Sequence, residues 1–251
     1  MLVCDDDGDA GGWLAIGQAS HAWVSGQLAR AWGTPRLPAP QPWEAVCLAA
    51  EQHDVGMAEW DLRPTLDPTT GRATAFTAMP RETHLALWRR APSRLETQSS
   101  YAALLVSLHG TTLYTSFRRP GADAPEVDAY LAEQRRYQDA LVARLGADRA
   151  ALERNRRLIA CWDALSLALC LRWPARELPA VLDADGGEVR IRLEPTTHGA
   201  TLDPWPFAAA TVGVEAEGRR LPGGLADADA LHDALRDAGA VELRWMLRPP
   251  G

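Results

Sequence analysis

A carboxylate, Asp163, lies inside the most apolar helix-like stretch of the chain. That stretch covers residues 158–171 and otherwise contains only leucine, isoleucine, alanine, tryptophan, serine and cysteine. A charge buried in such surroundings without a partner costs several kcal/mol, so it is normally neutralised, paired with an arginine or bound to a metal ion. The sequence therefore predicts a partner for Asp163 from elsewhere in the chain.

Five upstream residues could meet Asp163 in one site, because most of them lie on or beside apolar helical segments. They are His21, His53, Asp54, His84 and His109. Imidazole and carboxylate groups together suit divalent ions such as Zn, Fe, Mn and Mg. Each histidine alone is more often a hydrogen-bonded core residue than a ligand. Taken together, the set predicts a metal site that separate helices build only in the folded chain.

Composition narrows the possible partners. The net charge of -7 argues against nucleic acid or an anionic membrane as the main partner. All 26 basic residues are arginine, which removes lysine from any mechanism. The four cysteines show no CxxC spacing and are typical of a reducing compartment. With neither a signal-like start nor an apolar run of membrane length, we expect a cytoplasmic protein.

Hydrophobic periodicity predicts a mainly helical α+β protein. Helical spacing covers residues 18–32, 43–52, 80–91, 98–109, 125–145, 148–172 and 229–237, with a long loop over 61–79. Alternation predicts strands over 188–193, 211–217 and 241–247, and a further strand over 13–16 that could join them. We therefore expect a helical core over 1–176 and a small, mostly antiparallel sheet within a C-terminal extension over 177–251.

The order of the candidate ligands resembles the HD-domain superfamily of metal-dependent phosphohydrolases. In that superfamily a helical bundle holds a metal through a histidine, a contiguous His-Asp pair and a distant aspartate. His21, His53, Asp54 and Asp163 match this signature in order. Members that bind two metals carry two further histidines, and His84 and His109 stand where those are expected. The resemblance implies one or two divalent ions per chain and an HD-like bundle.

The chain also resembles a bacterial family named domain of unknown function 3891 over nearly its whole length. The segments that carry this resemblance are Gly26-Gln27-Leu28-Ala29 with Trp32-Gly33, His53-Asp54-Val55-Gly56 with Trp60-Asp61, Leu105-Val106-Ser107-Leu108-His109, Trp162-Asp163-Ala164-Leu165-Ser166-Leu167 and Asp203-Pro204-Trp205-Pro206-Phe207. This second resemblance implies no activity.

The HD resemblance implies a hydrolase of a phosphoester or phosphoanhydride, with small nucleotide-like molecules among the candidate substrates. Asp54 and Asp163 would serve catalysis, and Arg89 is the candidate cation for a phosphate group. Two alternatives remain: an HD-type di-iron oxygenase, and a metal-binding structural or sensing module without turnover. The C-terminal sheet could cover the core, shape the entrance or form a homodimer contact.

Overall fold

All seven helices that the periodicity predicts are present in the computed structural model, which describes residues 1–6, 11–116 and 125–251. The helices are α1 Gln18–Ala31, α2 Trp43–Glu51, α3 Ala58–Leu62, α4 Arg81–Glu96, α5 Ser100–Ser116, α6 Pro125–Leu145, α7 Arg149–Cys170 and α8 Ala228–Asp237. Short 3-10 turns cover Val55–Met57 and Phe76–Ala78. Helices α1, α2, α5 and α7 pack against one another and enclose the residues discussed below.

The strands form one large sheet and two small hairpins. They are β1 Leu2–Asp5, β2 Trp13–Ile16, β3 Leu66–Asp67, β4 Arg72–Ala73, β5 Arg176–Glu177, β6 Val181–Leu182, β7 Glu188–Val189, β8 Arg192–Thr196, β9 Gly199–Asp203, β10 Val212–Leu221 and β11 Ala240–Arg248. The large sheet has the order β1-β2-β10-β11-β9-β8-β5 and is antiparallel except between β9 and β11. The hairpins are β3–β4 and β6–β7.

The α+β class is confirmed, but the sheet is larger than the sequence predicts. The expected N-terminal strand does join it, because Ile16 of β2 pairs with Gly218 of β10. The strand predicted over 188–193 is divided, since Val189 pairs with Val181 in a hairpin while β8 enters the large sheet. One hydrophobic cluster extends from α1 to β11 and joins the helices to the sheet. The division at 176/177 stays a prediction.

Two helices are longer than the sequence predicts. Helix α4 continues through Pro92 to Glu96, and α5 continues through Gly110 to Ser116. A Cβ at Gly110 would lie 2.6 Å from both Trp88 Cε3 and Tyr130 Oη. The glycine therefore allows three helices to approach closely and does not end α5. No helix within the described ranges is both long and apolar enough to cross a membrane.

The predicted loop over 61–79 contains short ordered elements. Its turn at Asp67 is confirmed, because the Gly71 N–H donates to the Asp67 carbonyl over 2.9 Å and Gly71 has a φ of 63°. A positive φ favours glycine. The turn closes the β3–β4 hairpin, which lies outside the helical packing around Asp163.

Candidate metal centre

Five of the six candidate ligands converge at the centre of the helical packing. His21 lies on α1, His53 and Asp54 lie just beyond the end of α2 at Glu51, His109 lies on α5 and Asp163 on α7. All five are buried, with exposed fractions between 0% for His53 and 9% for Asp163. The expectation that separate helices would bring these residue types together is met for this set.

The Asp54 carboxylate lies between two imidazole rings. His21 Nε2 is 2.7 Å from Asp54 Oδ2 and hydrogen-bonded to it, and His53 Nε2 is 3.7 Å from the same oxygen. The His21 and His53 rings pack edge to face with centroids 5.0 Å apart. A nitrogen and oxygen donor set is thus already assembled beside Asp54.

The Asp163 carboxylate faces two imidazoles as well, one through each oxygen. Its Oδ1 lies 3.4 Å from His53 Nε2, and its Oδ2 lies 3.5 Å from His109 Nε2. These contacts define two groups of possible ligands. One group contains His21, His53 and Asp54, and the other contains His53, His109 and Asp163. Within each group the donor atoms lie within 4.8 Å of one another. His53 belongs to both groups.

The hydrogen bonds of His53 leave one ring nitrogen free. Nδ1 donates to the Ala50 carbonyl over 2.8 Å, so its hydrogen is fixed there. Nε2 is buried without a hydrogen-bonding partner among the described residues, as are both nitrogens of His109. Buried polar atoms without partners are rare in folded proteins. With Nδ1 committed to Ala50, Nε2 is the nitrogen that could bind a cation between the two carboxylates, in place of the proton it otherwise carries at neutral pH.

Electrostatics at the site favour ionised carboxylates. Burial opposes the charged form of Asp54, but His53 and His21 outweigh burial and lower its pKa. Burial likewise opposes ionisation of Asp163, and His53 again lowers the pKa. Burial also disfavours protonation of His53, yet Asp54 and Asp163 raise its pKa to about 9. Burial lowers the pKa of His109 to about 4. At neutral pH the site therefore holds two anionic oxygen donors.

Local backbone geometry explains how adjacent residues reach one site. Helix α2 ends at Glu51, and the 3-10 turn that follows is closed by the Met57 N–H donating to the Asp54 carbonyl over 2.8 Å. This departure from helical geometry lets both His53 and Asp54 direct their side chains into the same cluster. A Cβ at Gly56 would lie only 2.6 Å from the Leu87 carbonyl oxygen. The glycine thus fixes how closely the turn packs on α4.

His84 lies outside both ligand groups. The Trp88 indole N–H donates to His84 Nε2 over 3.2 Å, and Nδ1 is hydrogen-bonded to the Tyr114 hydroxyl. Because Nε2 accepts a hydrogen bond, its lone pair is occupied in this arrangement. Trp88 in turn packs against the His109 ring, with centroids 5.7 Å apart. The structure therefore places His84 behind His109, and its role as a ligand stays a prediction.

Arg89 also lies away from the carboxylates. Its guanidinium donates to Glu133 over 3.1 Å and lies 6.0 Å from the centre of the Tyr130 ring. The structure instead brings a residue that sequence reasoning missed, Arg156, to the Asp163 face of α7. It precedes Asp163 by seven residues, close to two helical turns, and this spacing was the signal that could have found it.

Comparison with known proteins assigns a family. A family model described as protein of unknown function (DUF3891) matches residues 1–223, a span that includes all five converging residues. The chain belongs to the DUF3891 family. The match with DUF3891 ends after β10, so α8 and β11 lie beyond it. Neither a curated protein nor a solved structure matches this DUF3891 chain significantly. The resemblance to HD-domain phosphohydrolases stays a prediction.

Proposed function

We propose that the chain is a metal-dependent hydrolase of a phosphoester or phosphoanhydride. The observation that carries this proposal is the buried, unpartnered Nε2 of His53 beside the Asp54 and Asp163 carboxylates. His21, His53, Asp54 and Asp163 would hold a divalent cation of the Zn, Mn, Fe or Mg type. The four residues are also those that match the HD signature in the sequence.

One cation per chain suits this arrangement better than two. Both possible ligand groups use His53, whose Nδ1 is committed to Ala50, so only its Nε2 can bind an ion. His84, which a second ion would need under the HD resemblance, has its Nε2 occupied by Trp88. His109 would then orient Asp163 through its second carboxylate oxygen.

Asp163 is the residue of the five that would meet a substrate. Its side chain is 13% exposed, against 7% for Asp54 and 2% or less for the three histidines. A divalent cation, when bound, lowers the pKa of a coordinated water to about 7 and offsets charge on a phosphate oxygen. Asp163 lies at the most open edge of the site, where its carboxylate can accept a hydrogen bond from that water and orient it.

Arg156 is the cation placed to bind a phosphate group of the substrate. Its guanidinium donates to the Thr112 hydroxyl on α5 over 3.1 Å, one turn beyond His109. The Glu153 carboxylate accepts from the other two guanidinium nitrogens, Nε at 2.8 Å and Nη2 at 2.7 Å, and fixes the direction of the guanidinium. Arginine suits phosphate because its planar donors match the oxygens.

The purified protein, loaded separately with Zn²⁺, Mn²⁺, Fe²⁺ or Mg²⁺, should hydrolyse at least one of three model substrates. These are p-nitrophenyl phosphate, bis-p-nitrophenyl phosphate and inorganic pyrophosphate. Chelation should abolish the activity, return of the metal should restore it, and Asp163→Asn should remove it. Metal binding without turnover of any substrate would contradict the hydrolase proposal, and oxygen consumption by the iron form would favour an oxygenase instead.

Replacing Arg156 by glutamine should lower kcat/KM for the best phosphorylated substrate by about 10- to 100-fold, the loss expected for one charge-assisted contact. Arg157→Gln is the matched control, because Arg157 shares Glu153 but extends to Glu188, away from Thr112. Its kcat/KM should stay within about threefold of wild type. Equal losses in both variants, or none in Arg156→Gln, would contradict the assignment.

A second candidate function is a metal-binding module without turnover. Burial of all five residues favours it, because structural metal sites have closed ligand shells whereas catalytic sites keep an open position. The melting temperatures of the metal-free and metal-loaded protein, combined with the activity assays above, separate this module from the hydrolase. The module predicts a large rise in melting temperature with bound metal and no activity, whereas the hydrolase predicts both metal binding and turnover.

A further inference from the structure

A buried hydroxyl, that of Ser166, connects two of the proposed ligands. Ser166 lies one turn after Asp163 on α7 and has no exposed surface. Its oxygen lies 2.9 Å from His21 Nδ1, 2.9 Å from the Asp163 carbonyl oxygen and 3.1 Å from the Ser25 hydroxyl. Ser25 is on α1 and is equally buried. These contacts join α1 to α7 directly beside the site.

Hydrogen counting fixes the direction of each bond. A carbonyl oxygen can only accept, so the single hydroxyl hydrogen of Ser166 must go to Asp163. The Ser25 hydroxyl must then donate to Ser166, and so must His21 Nδ1. The two lone pairs of the Ser166 oxygen are both used. As a result, His21 carries a hydrogen on Nδ1, and only Nε2 can act as a ligand.

We infer that Ser166 is a positioning residue that presents His21 to the cation through Nε2. The inference rests on the proposed metal site and goes beyond it by naming the group that orients a ligand. The Ala50 carbonyl plays the same part for His53 by accepting from Nδ1. The hydrogen between His21 Nε2 and Asp54 is the one a cation would replace, while the hydrogen on Nδ1 stays with Ser166.

The hydrogen bonds of Ser166 also connect the ring of one proposed ligand, His21, to the backbone of another, Asp163. The Ser166 oxygen accepts a hydrogen bond from the His21 imidazole, and its hydroxyl hydrogen is donated to the Asp163 peptide carbonyl. A shift of α7 relative to α1 would therefore break a hydrogen bond to the ring. Partners of this kind raise the basicity of a ligand and lock its orientation, and their loss commonly costs about 10- to 100-fold in metal affinity.

The test compares wild type, Ser166→Ala and the control Ser25→Ala, with Zn²⁺ as the probe. Chelator competition should show the Kd of Ser166→Ala raised by about 10- to 100-fold, and that of Ser25→Ala raised by less than about threefold. Proton–nitrogen correlation spectra of the zinc-loaded wild type should show a hydrogen on His21 Nδ1. In Ser166→Ala that hydrogen should exchange faster or be lost, and the metal-free protein should melt at a somewhat lower temperature, because a buried and fully hydrogen-bonded hydroxyl is removed.

The outcomes separate this inference from the proposal on which it rests. If wild type and Ser166→Ala bind zinc equally tightly and give the same His21 spectrum, Ser166 does not position His21. That result would not contradict the metal site itself. Wild type that binds no zinc would remove the site itself, and with it any ligand for Ser166 to position. Equal weakening in both serine variants would overturn the specific role by showing that general packing is responsible.

Discussion

Replacing His53 by glutamine will weaken Zn²⁺ binding by at least about a hundredfold, because the variant removes the ligand atom shared by both possible ligand groups. Its Nε2 is fixed toward the two carboxylates by the Nδ1 bond to Ala50. The nitrogens of His109 are also unpartnered, but His109 belongs to only one of the two groups. Glutamine keeps a polar side chain of similar volume, so the variant retains the packing around α2. Chelator competition measures the change.

The matched control for this experiment is His198→Ala. His198 is exposed and lies in the turn between β8 and β9, remote in the chain from all five converging residues. Its replacement removes an imidazole from the protein without touching the site. The Kd for Zn²⁺ should stay within about twofold of wild type, as expected for a substitution far from the ligands. A similar Kd in both variants would mean that His53 is not a ligand.

Replacing Gly56 by alanine will destabilise the fold by about 1–3 kcal/mol, the usual cost of overpacking. The added Cβ would lie 2.6 Å from the Leu87 carbonyl oxygen and 2.9 Å from the Ala91 Cβ. Backbone atoms of α4 cannot yield as a flexible side chain can. The 3-10 turn must therefore move away from α4, and Asp54 moves with it. Urea denaturation and zinc titration should both detect the change.

Gly239→Ala provides the control for the glycine substitution. Gly239 lies between α8 and β11, and a Cβ there would meet no atom within 4 Å. Its free energy of unfolding should change by less than about 0.5 kcal/mol, as for most surface substitutions. If Gly56→Ala behaved like Gly239→Ala in both measurements, the close packing of the turn on α4 would play no part in forming the site.

The sequence predicted the helices around the site well, because burial of a helix face requires apolar residues at helical spacing, and this spacing is visible in a single sequence. The apolar spacing around His21 and the uninterrupted apolar run around Asp163 both follow from helices packed on two sides. A charge in such a run has few explanations, which is why the convergence of Asp163 with His53 could be anticipated. Helix ends were harder, since Gly110 resembles a helix stop but serves contact with Trp88.

The features that the sequence did not predict depend on packing between distant segments. Nothing local in the sequence distinguishes His84, which is held by Trp88 and Tyr114, from His109, which lies beside Asp163. The sequence alone does not distinguish the roles of Arg89 and Arg156 either. Only tertiary packing brings Arg89 to Glu133 and Arg156 to Thr112. The large sheet was underestimated because β5 has only two residues and because β9 joins β11 through a parallel pairing with a segment far along the chain.

The most direct test counts metal ions per chain by elemental analysis of protein purified without chelator. Wild type should contain about one divalent ion of the Zn, Mn, Fe or Mg type, or take up that amount on loading and dialysis. His53→Gln, prepared in parallel, should contain essentially none. Wild type that stays metal-free after loading, or a His53→Gln variant with the same metal content, would contradict a metal centre at these five residues.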